Sequence, residues 1–238
     1  MTTGPKKDAV GTGGALGNTQ LQALGAALGS DPMSGVAIFG TGGVVIWANP
    51  QLSKMFRGPD ASPAQSMGRK LKEVYPESFA NEVVSVIDQC AAAGKPALMR
   101  TIWRGEQMYT WVQPINADPD ESGDGTGSKQ VLTISRKVRG DENAKDLFPM
   151  VDFEKFDSKV IDLGPLDVLS TRELEVLALL GQGLSAADIA AVLHRSVKTI
   201  NTHRESIGKK LKIDDRVKLA VIAQRAGLRL ADAARERT

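Results

Sequence analysis

The period of the apolar positions changes part-way along the chain. From about residue 35 to residue 138 the recurring unit is a short β-prone run. Val36-Ala37-Ile38-Phe39 and Val44-Val45-Ile46-Trp47 flank Gly40-Thr41-Gly42-Gly43, whose glycines accept positive φ, and together they predict a hairpin. Asn49-Pro50 breaks the second run, and Leu52, Met55 and Phe56 follow as a short helical stripe. Phe79–Ala93 predicts a longer helix, with Val83, Val86, Ile87 and Cys90 at helical spacing and Gly94 placed to end it. Ala97–Arg104 and Gln107–Ile115 read as strands around Gly105, and Val131–Val138 alternates as a further strand. This order predicts an antiparallel sheet with helices on one face.

From Leu169 onward the period is helical throughout. Ser170-Thr171-Arg172-Glu173 is a capping box, and Leu174, Leu177 and Leu180 follow on one face until Gly181-Gln182-Gly183 stops the helix. Ser185 caps a second helix carrying Ile189 and Leu193, and His194-Arg195 makes a tight connection. Ser196 caps a third helix with Val197, Ile200, Ile207 and Leu211 on one face. Asp214 is placed to cap a fourth, with Val217, Ala220 and Val221, ending near Gly227. Four short helices with a short turn between the second and third describe a helix-turn-helix domain.

The expected fold class is therefore α+β with two domains. Residues 1–30 read as a flexible lead with a short helix over Thr19–Leu28, and 31–139 as the sheet domain. Residues 140–164 read as a linker and 165–238 as the helix-turn-helix domain. Asp118–Ser128 reads as a polar loop, since it lacks the spacing and closing Glu of a calcium-binding loop.

Composition narrows the function classes. A single cysteine excludes an internal disulfide framework and a cysteine-cluster zinc site. Two histidines, His194 and His203, leave little for a His-rich metal site, and His203 has no Ser/Asp constellation around it in sequence. The expectation is a non-enzyme without a metal site. No apolar run approaches the ~20 residues needed to span a bilayer. The N-terminal stretch lacks the apolar core of a signal peptide, so a cytoplasmic protein is expected. Net charge is +2, but residues 165–238 hold 13 Lys/Arg against 9 Asp/Glu, leaving 17 against 19 elsewhere. The basic excess lies where a polyanion would be met. Cys90 reads as a small buried hydrophobe, and Trp47, Trp103 and Trp111 as core residues.

Two resemblances sharpen this. The hairpin into Trp47-Ala48-Asn49-Pro50, the segment Met67-Gly68-Arg69-Lys70-Leu71, the helix before Gly94 and the last three strands resemble the PAS fold over roughly 31–139. That resemblance implies a sensory or dimerising module, with the ligand unidentified. No histidine for haem lies there, and Cys90 does not sit in the asparagine-cysteine motif of flavin photosensors. The stretch LSTRELEVLALLGQGLSAADIAAVLHRSVKTINTHRESIGKKL resembles the LuxR/NarL (GerE-type) family nearly throughout. Two departures stand out. Gly208 lies inside the third helix, and Lys212 stands where the family usually ends that helix with Gly, so another turn conformation is expected. The region 31–139 lacks the acidic pair, strand-end Asp and later Lys of a receiver domain, and the acyl-homoserine-lactone pattern as well.

On a helical wheel the apolar stripe of the third helix centres between Ile200 and Arg204. Lys198, Thr202, Glu205 and Lys209 project opposite, with Asn201 beside them. Asn can pair bidentately with adenine, Thr can touch the thymine methyl, and Glu can accept from cytosine N4. The family resemblance also implies Asn201, Thr202 and Glu205 as base-facing. Lys198, Lys209 and Lys210 are expected at phosphates, with Ser196 and Thr199 adding contacts at the helix N-terminus. Arg204 sits at the edge of the apolar face, where it packs or reaches phosphate. The resemblance implies a homodimer, with the fourth helix as dimer face and half-sites about one helical turn apart. Partners are then double-stranded DNA, a second copy and RNA polymerase, with no membrane. Two alternatives remain open. One is a sigma-factor-like protein that grips promoter and polymerase; the other is a PAS photoreceptor or redox sensor carrying a cofactor.

Overall fold

Asn49 shows how the first domain is assembled. Its side chain, fully buried, accepts from Leu52 N–H (2.8 Å) and from Val36 N–H (3.0 Å) and donates to the Ser34 carbonyl (2.9 Å). One amide thus caps a helix and ties it to a strand fifteen residues away. The computed structural model describes residues 18–116, 129–138, 153–213 and 215–238. Elements of the first domain are α1 (Asn18–Ser30), β1 (Ser34–Gly40), β2 (Val44–Ala48), α2 (Pro50–Arg57), α3 (Glu77–Ala93), β3 (Ala97–Trp103), β4 (Glu106–Asn116) and β5 (Lys129–Lys137). The expected lead before residue 18, the loop 118–128 and the part of the linker up to 152 lie outside the described residues.

Strands lie in the order β2-β1-β5-β4-β3, each pair antiparallel, and the arrangement is PAS-like. β3 and β4 are joined by Arg104-Gly105, both at positive φ (53° and 76°), the two-residue turn that matches strand twist. Along the sheet, Ala37, Phe39, Val45, Met99, Thr101, Met108, Val112, Val131 and Thr133 face inward by register. α3 covers this face with Phe79, Ala80, Val86, Ile87 and Cys90, and ends at Gly94 in the left-handed region.

The region after residue 152 departs from a plain linker. β6 (Glu154–Asp157) joins the sheet as a sixth strand, parallel to β3, so the sheet is mixed. β7 (Val160–Ile161) pairs with β8 (Glu236–Arg237) at the C-terminus. The helical domain comprises α4 (Thr171–Gly181), α5 (Ala186–Val192), α6 (Val197–Leu211) and α7 (Arg216–Ala226). Its core, built on Leu174, Leu177, Ile189, Ile200 and Ile207, is continuous with Ile102 of β3 and with Ile161 and Leu163. Each fully buried side chain of this kind contributes about 1.5–3 kcal/mol.

Three sequence expectations need correction here. The cap of α7 is Asp215, whose carboxylate accepts from Val217 N–H (2.7 Å); Asp214 lies outside the described residues. Val217 and Val221 are exposed, and the buried stripe of α7 is Leu219, Ala223 and Ala226. Contact with α4 chooses that face: a Cβ on Gly181 would meet the Ala223 Cβ at 2.9 Å, so glycine permits the close crossing. Val197 is likewise exposed rather than packed with Ile200 and Ile207.

Candidate nucleic-acid interface

The start of every helix in the C-terminal domain is written in short side chains. Ser170, Ser185 and Ser196 accept from the N–H of Glu173, Asp188 and Thr199 respectively, and Ser196 and Thr199 also share a hydroxyl contact of 2.8 Å. His194 takes positive φ (52°) in the turn between α5 and α6. These caps set where α6 begins, and therefore which residues lie on its outer face.

That face carries Lys198, Asn201, Thr202, Glu205 and Lys209, all exposed, at the three- and four-residue spacing that aligns side chains on a helix. Thr202 donates back to the Lys198 carbonyl (3.0 Å). Arg204 is half-buried: one terminal nitrogen donates to Asn201 Oδ1 (3.4 Å), while its Nε is buried without a partner among the described residues. Arg204 thus packs at the edge of the apolar stripe and bears on Asn201. An open groove of about 400 Å³ runs beside the face, lined by Asn201, Arg204, Glu205 and Lys209. Helix diameter, about 10–12 Å, matches the major groove of B-DNA.

Lys210 is placed differently. Its ammonium donates to Glu173 Oε2 (2.7 Å), and Ser206 donates to Glu173 Oε1 (2.7 Å). The capping-box Glu173 of α4 therefore also anchors α6. Burial raises the Glu173 carboxyl, but the donors Lys210, Ser206 and Ser170 outweigh it and hold the group down at about 2. The sequence pattern gave Glu173 only its local cap; the link to α6 needs the tertiary crossing.

Lys212 ends α6 in the left-handed region (φ 56°, ψ 44°), the conformation a glycine would adopt, and not another turn. Gly208 has a structural reason: a Cβ there would lie 2.8 Å from the Ile213 carbonyl oxygen. The chain turns so tightly after α6 that Ile213 N–H reaches Gly208 O (2.8 Å).

The family of bacterial regulatory proteins of the luxR type matches residues 167–223. This segment is a LuxR-family domain. The response regulator VraR of Staphylococcus aureus is 30% identical over 98 residues, 41% of this chain and 46% of that protein. The chain thus spans about half the length of the curated relatives it matches. Among solved structures, the VqmA–ligand–DNA complex of Vibrio cholerae covers 90% of both chains at 16% identity and a TM-score of 0.45. The PAS domain of BvgS from Bordetella pertussis covers 56% of this chain and 93% of its own, at 15% identity and a TM-score of 0.39. With TM-scores this low, the PAS-like architecture rests on the strand order and the placement of α3.

A second feature lies in that first domain. Between α3 and the sheet is a cavity of about 50 Å³. Phe56, Tyr75 and Phe79 line one side, and Thr101, Thr110, Thr133 and Ser135 the other. The aromatic wall is closed by Trp103, 4.1 Å from Phe79 between ring centres, whose indole N–H donates to the Phe56 carbonyl (2.7 Å). Trp103 is buried, Trp47 lies exposed at the sheet edge, and Cys90 is buried, where desolvation pushes its thiol up to about 11. A thiol so raised is a poor nucleophile at neutral pH.

Proposed function

We propose that this chain is a sequence-specific DNA-binding transcriptional regulator, acting as a cytoplasmic homodimer with no enzymatic activity of its own. One observation carries the reading: the LuxR-family domain presents the polar face of α6 to solvent, with Asn201, Thr202 and Glu205 together and Lys198 and Lys209 at either end. Such a face can enter a major groove and read base edges while its lysines meet phosphate. Asn201 and Glu205 read, Thr202 contacts the thymine methyl, and Ser196 and Thr199 bring hydroxyls and the helix N-terminus to the backbone. Lys210 supports α6 through Glu173, and Arg204 orients Asn201. The PAS-like domain senses a signal or joins two copies, and its cavity supports the sensing role.

Footprinting of the purified full chain on promoter fragments, without RNA polymerase, tests the reading. Protection of paired half-sites about 10 bp apart, or a multiple, is expected. Protection only when polymerase is added would replace this reading with a sigma-like one. Lys198→Ala should weaken all sequences and lower the salt slope by about one, whereas Asn201→Ala should relax discrimination at one base position by about 1–3 kcal/mol. Identical behaviour of the two variants would refute the division of roles.

A further inference from the structure

Two consecutive residues of β3 face opposite ways. Thr101 points inward to the cavity and is 2% exposed. Of the cavity's serine and threonine hydroxyls, Thr110 and Ser135 bond each other (2.9 Å) and Thr133 donates to the Ala37 carbonyl (3.4 Å). The Thr101 hydroxyl has no partner among the described residues. The rest of the wall is almost wholly apolar, so this left-over hydroxyl is completed by a water or by a group on a ligand. Among the described residues no charged side chain lines the cavity, so an uncharged, largely apolar molecule with one hydrogen-bonding group suits it.

Arg100 points outward and is also 2% exposed. Its guanidinium donates to Gln107 Oε1 (2.6 Å), to Asp232 Oδ2 (2.7 Å) and Oδ1 (3.2 Å), and to the Gly227 carbonyl (2.7 Å). Gly227 and Asp232 follow α7 in the C-terminal domain. Around them, Arg229 pairs with Asp157 of β6 (3.1 Å) and Arg235 donates to the Ser158 carbonyl (2.6 Å). A Cβ on Gly227 would come within 2.5 Å of Gln107, so the docking is close as well as charged. The C-terminal domain is held on the sheet by a fork on Arg100, the residue next to Thr101 and on the opposite face of β3.

We propose that the Arg100 clamp reads the cavity: a small uncharged molecule, hydrogen-bonded by Thr101, displaces β3 and releases the C-terminal domain from the sheet. The proposal deepens the regulator reading above and rests on it. About 50 Å³ admits a few waters, so a larger guest has to move the wall it touches. A bidentate fork loses its alignment when a strand shifts by roughly half an ångström. A guest shifts the balance only by binding the released form more tightly, and the coupling is reciprocal, so loosening the clamp also tightens binding of the guest.

The test uses the full chain with phenol as probe. Phenol binding is followed at the indole N–H resonance of Trp103, and docking by hydrogen exchange of the amides in residues 227–238. Phenol is expected to shift the Trp103 signal and to speed exchange of those amides about tenfold. Thr101→Val should weaken the phenol response severalfold. Asp232→Asn should show fast exchange without phenol and severalfold tighter phenol binding. Arg100→Lys, which keeps the charge but loses the fork, should do the same, so a folding defect of one variant does not decide the matter. An unmoved Trp103 signal at millimolar phenol, or phenol binding that leaves residues 227–238 protected, overturns the proposal. Wild-type exchange and affinity in both clamp variants overturn it too. None of these readouts involves DNA: a failed footprint sinks the regulator reading, whereas failed exchange beside an intact footprint sinks only the coupling.

Discussion

In the LuxR-family domain each of α4, α5 and α6 begins on a serine that satisfies an amide three residues ahead. In the PAS-like domain β1 pairs with β5 about a hundred residues further along the chain, Ser34 opposite Arg136. The first is assembled from near neighbours, whereas the second joins its two local hairpins through β5, a pairing that only the completed sheet supplies. They also fail differently. A lost cap frays one helix at a cost of about 1 kcal/mol, whereas a lost contact between the sheet and the helical domain leaves buried groups unpaired on both sides. Arg100 and Asp232 belong to that second class, and they are where the two kinds of construction meet.

The largest effect is expected from Asp232→Ala, which strands the buried Arg100. Loss of about 3–5 kcal/mol is expected in chemical denaturation. Replacing both partners by apolar residues, Arg100→Met with Asp232→Leu, should cost much less. Equal losses from the single and double changes would contradict the clamp's being a desolvated ion pair. Burial would raise the Asp232 carboxyl, but the Arg100 bonds and charge, with help from Arg229 and Arg235, hold it below its ordinary value.

Next comes Glu173→Gln, with an expected loss of about 1–3 kcal/mol at neutral pH. Its sign with pH follows from the depressed carboxyl. The stabilisation is complete above the ordinary value of 4.5 and fades as pH falls towards about 2. Urea midpoints of wild type and variant should therefore converge in acid; a gap that stays constant from pH 7 to pH 2.5 would rule out the ionised Glu173 as the anchor of α6.

Two smaller changes probe the end of α6. Helix propensity alone predicts that Gly208→Ala stabilises by about 1 kcal/mol. The 2.8 Å approach to the Ile213 carbonyl predicts the reverse, a lower thermal midpoint. Lys212→Gly should raise the midpoint, by somewhat under about 1 kcal/mol of stability, because glycine adopts the left-handed turn without the Cβ penalty. A lowered midpoint would mean that Lys212 contributes more through its side chain than its backbone costs.

Much of the LuxR-family domain could be read from the chain, since caps and stripes are local signals. The exposed face of α6 followed from the same periodicity. Where the reading slipped, a tertiary contact intervened. Asp215 caps α7 in place of Asp214, and the α4 crossing at Gly181 turns Val217 and Val221 outward. Lys210, expected at phosphate, has a partner that periodicity does not show, the Glu173 carboxylate of α4. β6 is too short and too polar to announce itself, and gains its place by pairing with β3. Arg100 carried one faint signal, a lone charge in the apolar run Ala97-Leu98-Met99-Arg100-Thr101-Ile102-Trp103, which is more readily taken as an exposed strand position.

Taken alone, the amino-acid order determined the helix starts, the hairpin turns, the alternation of the strands and the polar face of α6, because each depends on groups a few residues apart. Tertiary structure decided the partner of Arg100, the second duty of Glu173, the unpaired Thr101 hydroxyl and the docking of the helical domain on the sheet. Those depend on which desolvated groups are brought together, and burial makes a partner's identity matter most where chain separation hides it.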